Sequence, residues 1–373
     1  MLDRTATRRP DTGQGSGQVI YVIGGKRMST CVNIIKAGMV TAVGLNGAAT
    51  AAAMRASVDG FQETQFMTPG GDWLLGAPVS LPRDWVGEKR LAHLAAGAIV
   101  DALQGQEAAL ADLQIVLCLA ETTRPGRPVR NVDRFGQRVL EHSGLPATTK
   151  LHVVTHGRPS GLVALERVRR MFARGEAEHA LIVGADNLLS GPTIAHYLGV
   201  QRLLTADVAN GFIPGEAAGA VLCKSGPPQH FALTGLALAR EEAFLYNPDD
   251  KPLRADGLTQ AYRDAMTDAG LTDFGEVDFR ICDLTGESYF FKQSALAMQR
   301  TMRLHRDPQD IWTPGDCIGN VGAAIVPLMI GWGLTAFERG YIPGDVLMVE
   351  ATGDDGACGA AILQSVIRER AAA

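Results

Sequence analysis

Residues 151–186 decide the fold, and they read LHVVTHGRPSGLVALERVRRMFARGEAEHALIVGAD. The pattern predicts a β-branched strand, a tight turn, an amphipathic helix that begins at Ser160 and stops at Gly175, and a second strand. The first backbone N–H groups of a helix have no partner within it. A sharp strand-to-helix turn therefore directs them at one spot, where enzymes place a nucleophile or bind an anion. This chain has Arg158 and Pro159 at that spot, and no cysteine.

The composition of the 373 residues indicates a soluble globular protein packed with small aliphatic side chains. Hydrophobic residues make up 46% and charged residues 20% of the chain. The 43 glycines exceed the usual share of about 7%, which predicts many tight turns and close backbone approaches. A net charge of −5 argues against nucleic acid or an anionic membrane as the main partner.

The six cysteines stand singly inside apolar stretches, with neither a CxxC pair nor the spacing of a metal site. They are Cys31, Cys118, Cys223, Cys282, Cys317 and Cys358. This usage predicts buried, reduced thiols in a reducing compartment, and no bound metal. No apolar run reaches the roughly 18 residues of a membrane span, and the N-terminus lacks the apolar core of a signal peptide, so we expect a cytoplasmic protein.

Composition divides the chain into three parts. Residues 1–27 are expected to be a flexible N-terminal extension, because residues 1–18 are polar and rich in Gly, Arg and Thr. Within it, residues 19–25 (VIYVIGG) are a candidate for an added strand. Residues 28–226 and 227–373 are expected to be two α/β halves, and residues 224–231 (KSGPPQHF) have the composition of a link between them. Residues 64–86 are expected to be irregular.

The two halves contain an internal echo about 165 residues apart, as expected of a repeated unit. Residues 172–175 (FARG) close one predicted helix before ALIVGAD. Residues 337–340 (FERG) close another, the apolar helix predicted over Val321–Phe337, before VLMVEAT. Each is followed by a Gly/Ala-rich final strand, in residues 215–223 and 356–364. We favour a duplicated α/β unit; the alternative is that two unrelated segments share the same helix-stop pattern. The small residues favour a helix layer packed closely between two sheets.

With these two halves, a strand–turn–helix in the first and a Gly-Asn turn late in the second, the chain resembles the β-ketoacyl synthases of the thiolase-fold superfamily. The resemblance covers residues 31–365 and rests on the order and spacing of seven segments. They are GMVTAVGLNG (38–47), GRPSGLVAL (157–165), LIVGAD (181–186), GFIPGEAAGAVL (211–222), DLTGES (283–288), IGNVGAA (318–324) and GDDGACGAAIL (353–363). The resemblance implies the thiolase fold, in which duplicated α/β halves form a layered α-β-α-β-α sandwich.

The resemblance also implies where the catalytic positions lie. In an active member the turn carries a cysteine whose thiolate attacks an acyl thioester. Two later side chains, two His or one His and one Asn, promote decarboxylation and hold the enolate oxygen. Arg158 stands at the nucleophile and Asp283 at the first histidine. Asn320 stands at the second histidine, an identity that some condensing enzymes use there. The family's gating turn falls on residues 353–356.

If the fold is as expected, Arg158, Asp283, Asp354 and Asp355 converge. An arginine that faces two or three carboxylates forms a charge-assisted network suited to filling a pocket that once took a thioester. Two interpretations stay open. In the first, which we favour, the cluster only holds the degenerate site together. In the second, Arg158 and its neighbours, Asn320 included, bind an anionic ligand such as a carboxylate or phosphate.

Residues near the predicted site are expected to have structural roles. His156 is expected to hydrogen-bond to the backbone or to Asp283, and a general-base role is the less favoured alternative. Ser160 is expected to cap its helix. Glu216 is expected to anchor its turn, as the matching acidic residue does in the family. Three arginines in residues 122–130 are expected to lie in a solvated loop; recognition of a phosphopantetheine arm or an acidic carrier is the alternative. These arginines are Arg124, Arg127 and Arg130.

Four cysteines are candidate substitutes for the missing nucleophile. Cys118 and Cys282 fall in the middle of predicted strands, where a small buried thiol is the expected role. Cys317 and Cys358 fall near the predicted site loops, but neither lies at the strand-to-helix turn.

The substitutions predict a catalytically degenerate β-ketoacyl synthase-like protein that acts by binding, as an accessory protein, adaptor or partner subunit. The resemblance implies two settings, the cargo of a secretion system and a biosynthetic complex, and no required cofactor. It also implies a dimer, formed with a second copy or with a thiolase-fold relative, in which residues 151–155 pair across a two-fold axis.

An active enzyme is the alternative. It would be an acyltransferase or decarboxylase with a Cys-independent mechanism, using His156, Asn320 and an ordered water. Its substrate would be an acyl-CoA or acyl-carrier-protein thioester, held by positioning alone. A small-molecule sensor that uses the emptied pocket is a third, weaker hypothesis.

Overall fold

The computed structural model describes residues 21–23, 26–28, 31–82, 84–304, 306 and 309–366. The predicted extension, residues 1–27, lies outside the described residues except for two short strands. These are β1 (Tyr21–Ile23) and the strand β2 (Lys26–Met28), which pair with each other in antiparallel orientation.

The remaining elements alternate between strands and helices. The strands are β3 (Cys31–Val40), β4 (Gln62–Met67), β5 (Trp73–Gly76), β6 (Gln114–Cys118), β7 (Lys150–Val154), β8 (His179–Asn187), β9 (Glu216–Gly226), β10 (His230–Arg240), β11 (Phe279–Cys282), β12 (Asp310–Trp312), β13 (Val346–Thr352) and β14 (Ala357–Val366). The helices are α1 (Gly47–Arg55), α2 (Gly87–Leu103), α3 (Val132–His142), α4 (Ser160–Ala173), α5 (Gly191–Gly199), α6 (Asp256–Asp268), α7 (Ser288–Thr301), α8 (Gly315–Ile318) and α9 (Ile325–Glu338).

The sheet topology has the duplication predicted from the sequence. The main sheet has the order β12-β11-β13-β14-β10-β3-β9-β8-β6-β7. If the five strands of each half are numbered along the chain, both halves have the order 3-2-4-5-1, and the fifth strand of each is antiparallel to its neighbours. The halves meet where β10 pairs with β3 at Ala232–Asn33 and Leu233–Val32. The FARG/FERG echo therefore belongs to a repeated structural unit.

Helices cover both halves and separate them. Helix α4 contacts β8, β6 and β3 of the first half and β10 and β14 of the second, and α9 contacts strands of both halves as well. Helices α2 and α3 pack on the outer side of the first half, and α6 and α7 on the outer side of the second. The order of layers is thus α-β-α-β-α, as expected.

Small residues bring the central helices together. At Gly161 in α4, an added Cβ would lie 2.5 Å from Cβ of Val326 in α9, closer than any real contact. At Gly219 in β9, an added Cβ would lie 2.9 Å from the backbone nitrogen of Leu328. The Gly- and Ala-rich composition therefore sets the spacing of the layers.

Three expectations differ from the structure. Residues 64–86, expected to be irregular, contain the β4–β5 hairpin, in which Met67 opposes Trp73. Its polar QETQFM strand lacks a clear apolar alternation, so the usual strand signal is absent. The helix expected from residue 321 begins as a 3-10 turn, Gly322–Ala324, and becomes α9 only at Ile325. Most of the expected link, residues 224–231, belongs to β9 and β10.

No helix among the described residues combines the length and the apolar character needed to cross a bilayer.

Candidate functional site

The candidate site lies at the turn between β7 and α4, as the sequence predicts. Gly157 has φ +60°, and an added Cβ there would overlap the Glu121 carboxylate. Ser160 is the first residue of α4 and does not cap it, so that prediction is wrong. Its Oγ accepts a hydrogen bond from the His156 N–H at 2.8 Å and donates to the Leu119 carbonyl at 3.3 Å. The hydroxyl closes the turn instead of satisfying the helix N-terminus.

Arg158 points into the protein, and its side chain is only 6% exposed. Its Nη1 lies 3.4 Å from Asp283 Oδ2, and its Nη2 lies 3.2 Å from Asp354 Oδ1. The guanidinium also lies over the ring of Phe290, 4.1 Å from the centroid. Burial alone would lower the pKa of Arg158, but the Asp283 and Asp354 carboxylates outweigh it and raise the pKa. Arg158 is therefore a permanent, paired cation.

A second arginine, which the sequence analysis missed, completes this network. Arg202 binds Glu287 through two hydrogen bonds, Nε–Oε1 at 2.6 Å and Nη2–Oε2 at 2.8 Å. Its Nη1 donates to Asp354 Oδ2 at 2.6 Å and to the Tyr246 hydroxyl at 2.9 Å. We call Arg158, Arg202, Asp283, Glu287 and Asp354 the ion-pair cluster. With two guanidinium groups and three carboxylates, the cluster carries no spare positive charge when all of its members are ionised.

The pKa values of the two aspartates of the cluster shift in opposite directions. Burial raises the pKa of Asp283, although Arg158 and a 2.9 Å hydrogen bond from the Thr352 N–H favour the ionised form. Burial also acts to raise the pKa of Asp354, but Arg202 and Arg158 together outweigh it and hold the pKa below its usual range. Asp354 therefore stays ionised to a lower pH than Asp283, because it contacts both arginines.

Arg124 forms a second buried pair beside the ion-pair cluster. Its side chain is 6% exposed. It donates two hydrogen bonds to Asp186, from Nη1 to Oδ2 at 2.7 Å and from Nη2 to Oδ1 at 2.6 Å. Asp186 Oδ2 also accepts the Ala323 N–H at 2.9 Å, which ties β8 to the turn before α9. The expectation of a solvated loop is therefore wrong for Arg124, although Arg130 in the same loop is exposed.

Three other predicted positions lie apart from this network. Asn320 is buried, and its Oδ1 accepts the N–H of Gly322 at 3.0 Å, so its side chain shapes the local turn. His156 is exposed, and no hydrogen bond joins its imidazole to a described residue. Asp355 is also exposed and accepts the Ala357 N–H at 3.0 Å. The expected convergence is correct for Asp283 and Asp354 but wrong for Asp355.

Glu216 anchors its turn, as predicted. It accepts hydrogen bonds from the Val79 N–H at 2.9 Å and from Asn187 Nδ2 at 2.7 Å, and it pairs with Arg90 through both carboxylate oxygens. A buried carboxylate is stable only with such partners, so the first residue of β9 fixes residues 79 and 187 around itself.

The cysteines supply no substitute nucleophile in the structure. All six are buried and form no disulfide. Burial raises the pKa of Cys317 and of Cys282 to about 11 in each case, and that of Cys358 to about 12. A thiol with such a pKa is almost fully protonated at neutral pH and is a poor nucleophile.

Metal-ligand geometry among the described residues occurs at one group, Asp112, Glu178 and His179, outside the ion-pair cluster. Asp112 there already accepts a 2.9 Å hydrogen bond from His179 Nδ1 and a 2.6 Å bond from the Glu178 N–H. Hydrogen bonds within the group account for this arrangement, so it carries no assignment.

The comparisons with known proteins agree with this architecture. No protein-family model matches the chain, and no curated protein is significantly similar to it in sequence. One similar solved structure is a ketosynthase in complex with its chain length factor from Xenorhabdus doucetiae, with 15% identity, a TM-score of 0.74, and coverage of 90% of this chain and 98% of that one. The ishigamide ketosynthase/chain length factor has 20% identity, a TM-score of 0.74, and coverage of 91% and 100%.

A third similar structure is a β-ketoacyl synthase from Burkholderia phymatum, with 17% identity, a TM-score of 0.68, and coverage of 91% of this chain and 100% of that one. Agreement over nine-tenths of the chain at such low identity concerns the path of the backbone and leaves the chemistry of the site open. The chain therefore has the thiolase fold of the ketosynthases.

Proposed function

We propose that this chain is a non-catalytic partner subunit with the ketosynthase fold, which acts by binding another protein. One observation carries the proposal: Arg158, at the position that the resemblance assigns to the nucleophile, is a buried cation paired with Asp283 and Asp354. Guanidinium is never deprotonated in a protein and cannot act as the nucleophile. Without a covalent acyl intermediate, the chain has lost the step that defines the reaction of its structural relatives.

The charge balance of the ion-pair cluster argues against an anionic ligand at Arg158. Its guanidinium already faces two carboxylates, and Arg202 is shared between Glu287 and Asp354. A phosphate or carboxylate would have to displace one of these partners and leave it buried without a counter-charge, which is costly. We therefore assign the cluster a structural role.

The edge strand β7 is the surface that we propose for the partner. Among the described residues, strand β7 ends the ten-stranded sheet and pairs with β6 alone, so its other edge offers backbone N–H and C=O groups without a strand partner in that part of the chain. Two of the similar structures are described as a ketosynthase together with a chain length factor. A thiolase-fold relative or a second copy of this chain is accordingly the partner that we propose, in an accessory or adaptor role.

The catalytic alternative is tested by intact-protein mass spectrometry. The full-length protein is incubated with acyl-CoA and malonyl-CoA while CO₂ release is followed, and an active β-ketoacyl synthase serves as the positive control. We expect no acyl adduct and no CO₂ above background. An adduct on any cysteine, or turnover, would overturn the proposal in favour of a working acyltransferase or decarboxylase.

The partner surface is tested by cysteine scanning along β7. Single substitutions Lys150→Cys, Leu151→Cys and His152→Cys are oxidised in the protein alone and after co-expression with candidate thiolase-fold relatives. In an antiparallel strand pair across a two-fold axis, only a residue close to the axis crosslinks to its own copy. Efficient self-crosslinking at one position therefore identifies a homodimer, and crosslinking only to a relative identifies a heterodimer. Absence of both removes β7 as the interface.

A further inference from the structure

The edge strand β7 carries an excess of positive charge on one of its two faces. His152 is hydrogen-bonded to Arg167 of α4, so the even positions of β7 point toward α4. Lys150 lies on this face and is exposed, as is Arg167. Neither cation forms an ion pair with another described residue. The opposite face is apolar, since Leu151 and Val153 pack against the core of the first half. Both charges therefore face whatever pairs with β7.

His152 holds Arg167 in place without removing its charge. Gln114 Nε2 donates to the Glu176 carbonyl at 2.7 Å, which leaves Gln114 Oε1 to accept from His152 Nε2 at 3.0 Å. With its proton on Nε2, the neutral imidazole accepts at Nδ1 from Arg167 Nη2 at 2.7 Å. Burial and the Arg167 charge both lower the pKa of His152, which favours this neutral ring. The guanidinium is thus fixed beside the edge of β7.

The carboxylates on the exposed side of α4 are already paired. Glu166 forms ion pairs with Arg169 and with Arg170, each at 2.6 Å. Glu176, which follows the end of α4, lies 3.6 Å from Arg174. Neither carboxylate neutralises the two cations described above, so the face of β7 next to α4 keeps its excess of positive charge.

Pairing β7 with β7 of a second copy would bring these cations together. Opposite residues of an antiparallel pair point to the same face, so the two-fold axis of such a pair passes through a residue position. Strand β7 has 5 residues, Lys150–Val154, so a pairing that uses most of the strand places the axis at position 151, 152 or 153. In each case both copies of Lys150 and of Arg167 lie near the axis on one side of the sheet. Like charges in that arrangement are destabilising.

We propose that β7 pairs with the edge strand of a thiolase-fold relative that carries Asp or Glu on the face next to α4, and that the charge on this face disfavours a second copy of the chain. The inference rests on the proposed role of β7 and adds the chemistry that selects the partner. Carboxylates opposite Lys150 and Arg167 would form charge-assisted hydrogen bonds, while like charges reject the wrong partner. The chain's own ends do not fit, since residues 1–20 hold three Arg and two Asp, and residues 367–373 two Arg and one Glu.

The test uses a charge-reversed copy of the full-length chain, Lys150→Glu/Arg167→Glu, as the acidic partner. In sedimentation velocity, we expect the wild type and the variant to be monomers when alone, and their equimolar mixture to form a 1:1 complex. Raising NaCl from about 0.05 M to about 0.5 M should weaken this complex about tenfold or more, because salt screens exposed charges. Hydrogen exchange should slow within residues 150–154 in the mixture only. Absence of a mixed complex would overturn the proposal.

Two further variants locate the effect. Lys292→Glu/Arg263→Glu reverses one Lys and one Arg on the outer helices of the second half, where both are exposed and form no ion pair with a described residue. This matched control should not bind the wild type, and a complex of equal affinity would contradict the assignment. Lys150→Gln/Arg167→Gln removes the repulsion without adding carboxylates, so it should self-associate about tenfold more tightly than the wild type. Unchanged self-association would show that these charges do not select the partner.

The outcomes separate this inference from the assignment of β7 as the partner surface. A wild-type chain that dimerises alone, with slowed exchange in residues 150–154, would overturn the acidic relative and keep β7 as the interface. A co-expressed relative that protects residues 150–154 but lacks Asp or Glu on the matching face would do the same. A relative that binds while these residues exchange freely would overturn both proposals.

Discussion

Arg158 and Asp354 are ion-paired, with 3.2 Å between Nη2 and Oδ1, although 196 positions separate them in the chain. Arg158 belongs to the strand-to-helix turn of the first half, and Asp354 to the turn between β13 and β14 of the second. The pair therefore joins the two duplicated halves. An ion pair between halves stabilises one relative position of the halves only if both partners remain charged.

Removing Arg158 should leave Asp283 as a buried carboxylate without its cation. We expect Arg158→Met to lower the free energy of unfolding by about 3 kcal/mol, since breaking a buried pair from one side costs about 3–5 kcal/mol. Adding Asp283→Asn to the same chain should recover a large part of that loss, because the second change removes the uncompensated charge. Urea denaturation of the wild type, both single variants and the double variant measures the coupling.

Additivity of the two losses in free energy of unfolding would contradict this interpretation of the ion-pair cluster. If the double variant loses as much as the sum of the single variants, Arg158 and Asp283 do not interact energetically. A conservative control is Arg130→Met, because Arg130 is exposed in its loop and its replacement should change the unfolding free energy by less than about 0.5 kcal/mol.

Asp354 should make the protein sensitive to acid. The pKa of Asp354 lies below its usual range in the folded protein, so its stabilising contribution is present above the ordinary aspartate pKa and is lost as the pH falls through the lowered value. Asp354→Asn should therefore be less stable than wild type near pH 7, by about 2 kcal/mol. The difference should shrink below about pH 4. Thermal unfolding at pH 3, 5 and 7 checks both statements, and a difference that stays constant across this range would refute the pairing.

The sequence predicts the fold well because the repeated pattern is local. A helix stop such as Gly175 or Gly340, followed by a buried strand, can be recognised from neighbouring residues alone. The same local pattern occurs in both halves, and both halves have the same strand order. The β4–β5 hairpin was not predicted, because it lacks such a local pattern. Its strands are half solvated, and their stability depends on packing against residues far away in the chain, such as Leu188 and Phe212.

The candidate site was predicted only in part. Arg158, Asp283 and Asp354 were found through their places in motifs, but Arg202 was missed because it follows α5 in an unremarkable loop. Glu287 stood in the quoted DLTGES segment, and a search for further carboxylates on that segment would have found it. Nothing local indicates that Arg202 reaches both Glu287 and Asp354, since that contact depends on how the two halves pack.

The contact between the central helices should not tolerate a single added methyl group. An added Cβ at Gly161 would lie 2.5 Å from Cβ of Val326, and both backbones are held between two sheets. Gly161→Ala should therefore destabilise the protein by about 1–3 kcal/mol, as overpacking of a core does. Gly199→Ala, in a helix and with nothing within 4 Å of the added Cβ, is the matched control and should be neutral or slightly stabilising. Chemical denaturation compares the two, and equal stability would show that α4 and α9 can move apart.

Another buried charge group lies between the sheet and the outer helices of the second half. Glu350 in β13 is 1% exposed; its Oε1 accepts a 2.7 Å hydrogen bond from Ser294, and its Oε2 lies 3.5 Å from Arg280 Nη1. Burial raises the pKa of Glu350 to about 8. Arg280 is too poorly placed to offset this, since its Nη1 donates instead to Tyr262 and Ser294 at 3.1 and 2.9 Å. With this pKa, we expect the folded state to hold a proton on Glu350 in the neutral range.

This proton makes stability fall as the pH rises. Between the ordinary glutamate pKa near 4.5 and the folded value of about 8, the folded protein binds one more proton than the unfolded chain, so the free energy of unfolding decreases by up to about 1.4 kcal/mol per pH unit. Glu350→Gln mimics the protonated side chain and abolishes this dependence. We expect the variant and the wild type to unfold alike near pH 5, and the variant to be the more stable at pH 8 and above. Urea denaturation from pH 5 to 9 measures the difference, with Glu338→Gln at the exposed end of α9 as the control that should follow the wild type. A variant that is less stable than wild type at pH 8 would mean that Glu350 is ionised and held by Arg280.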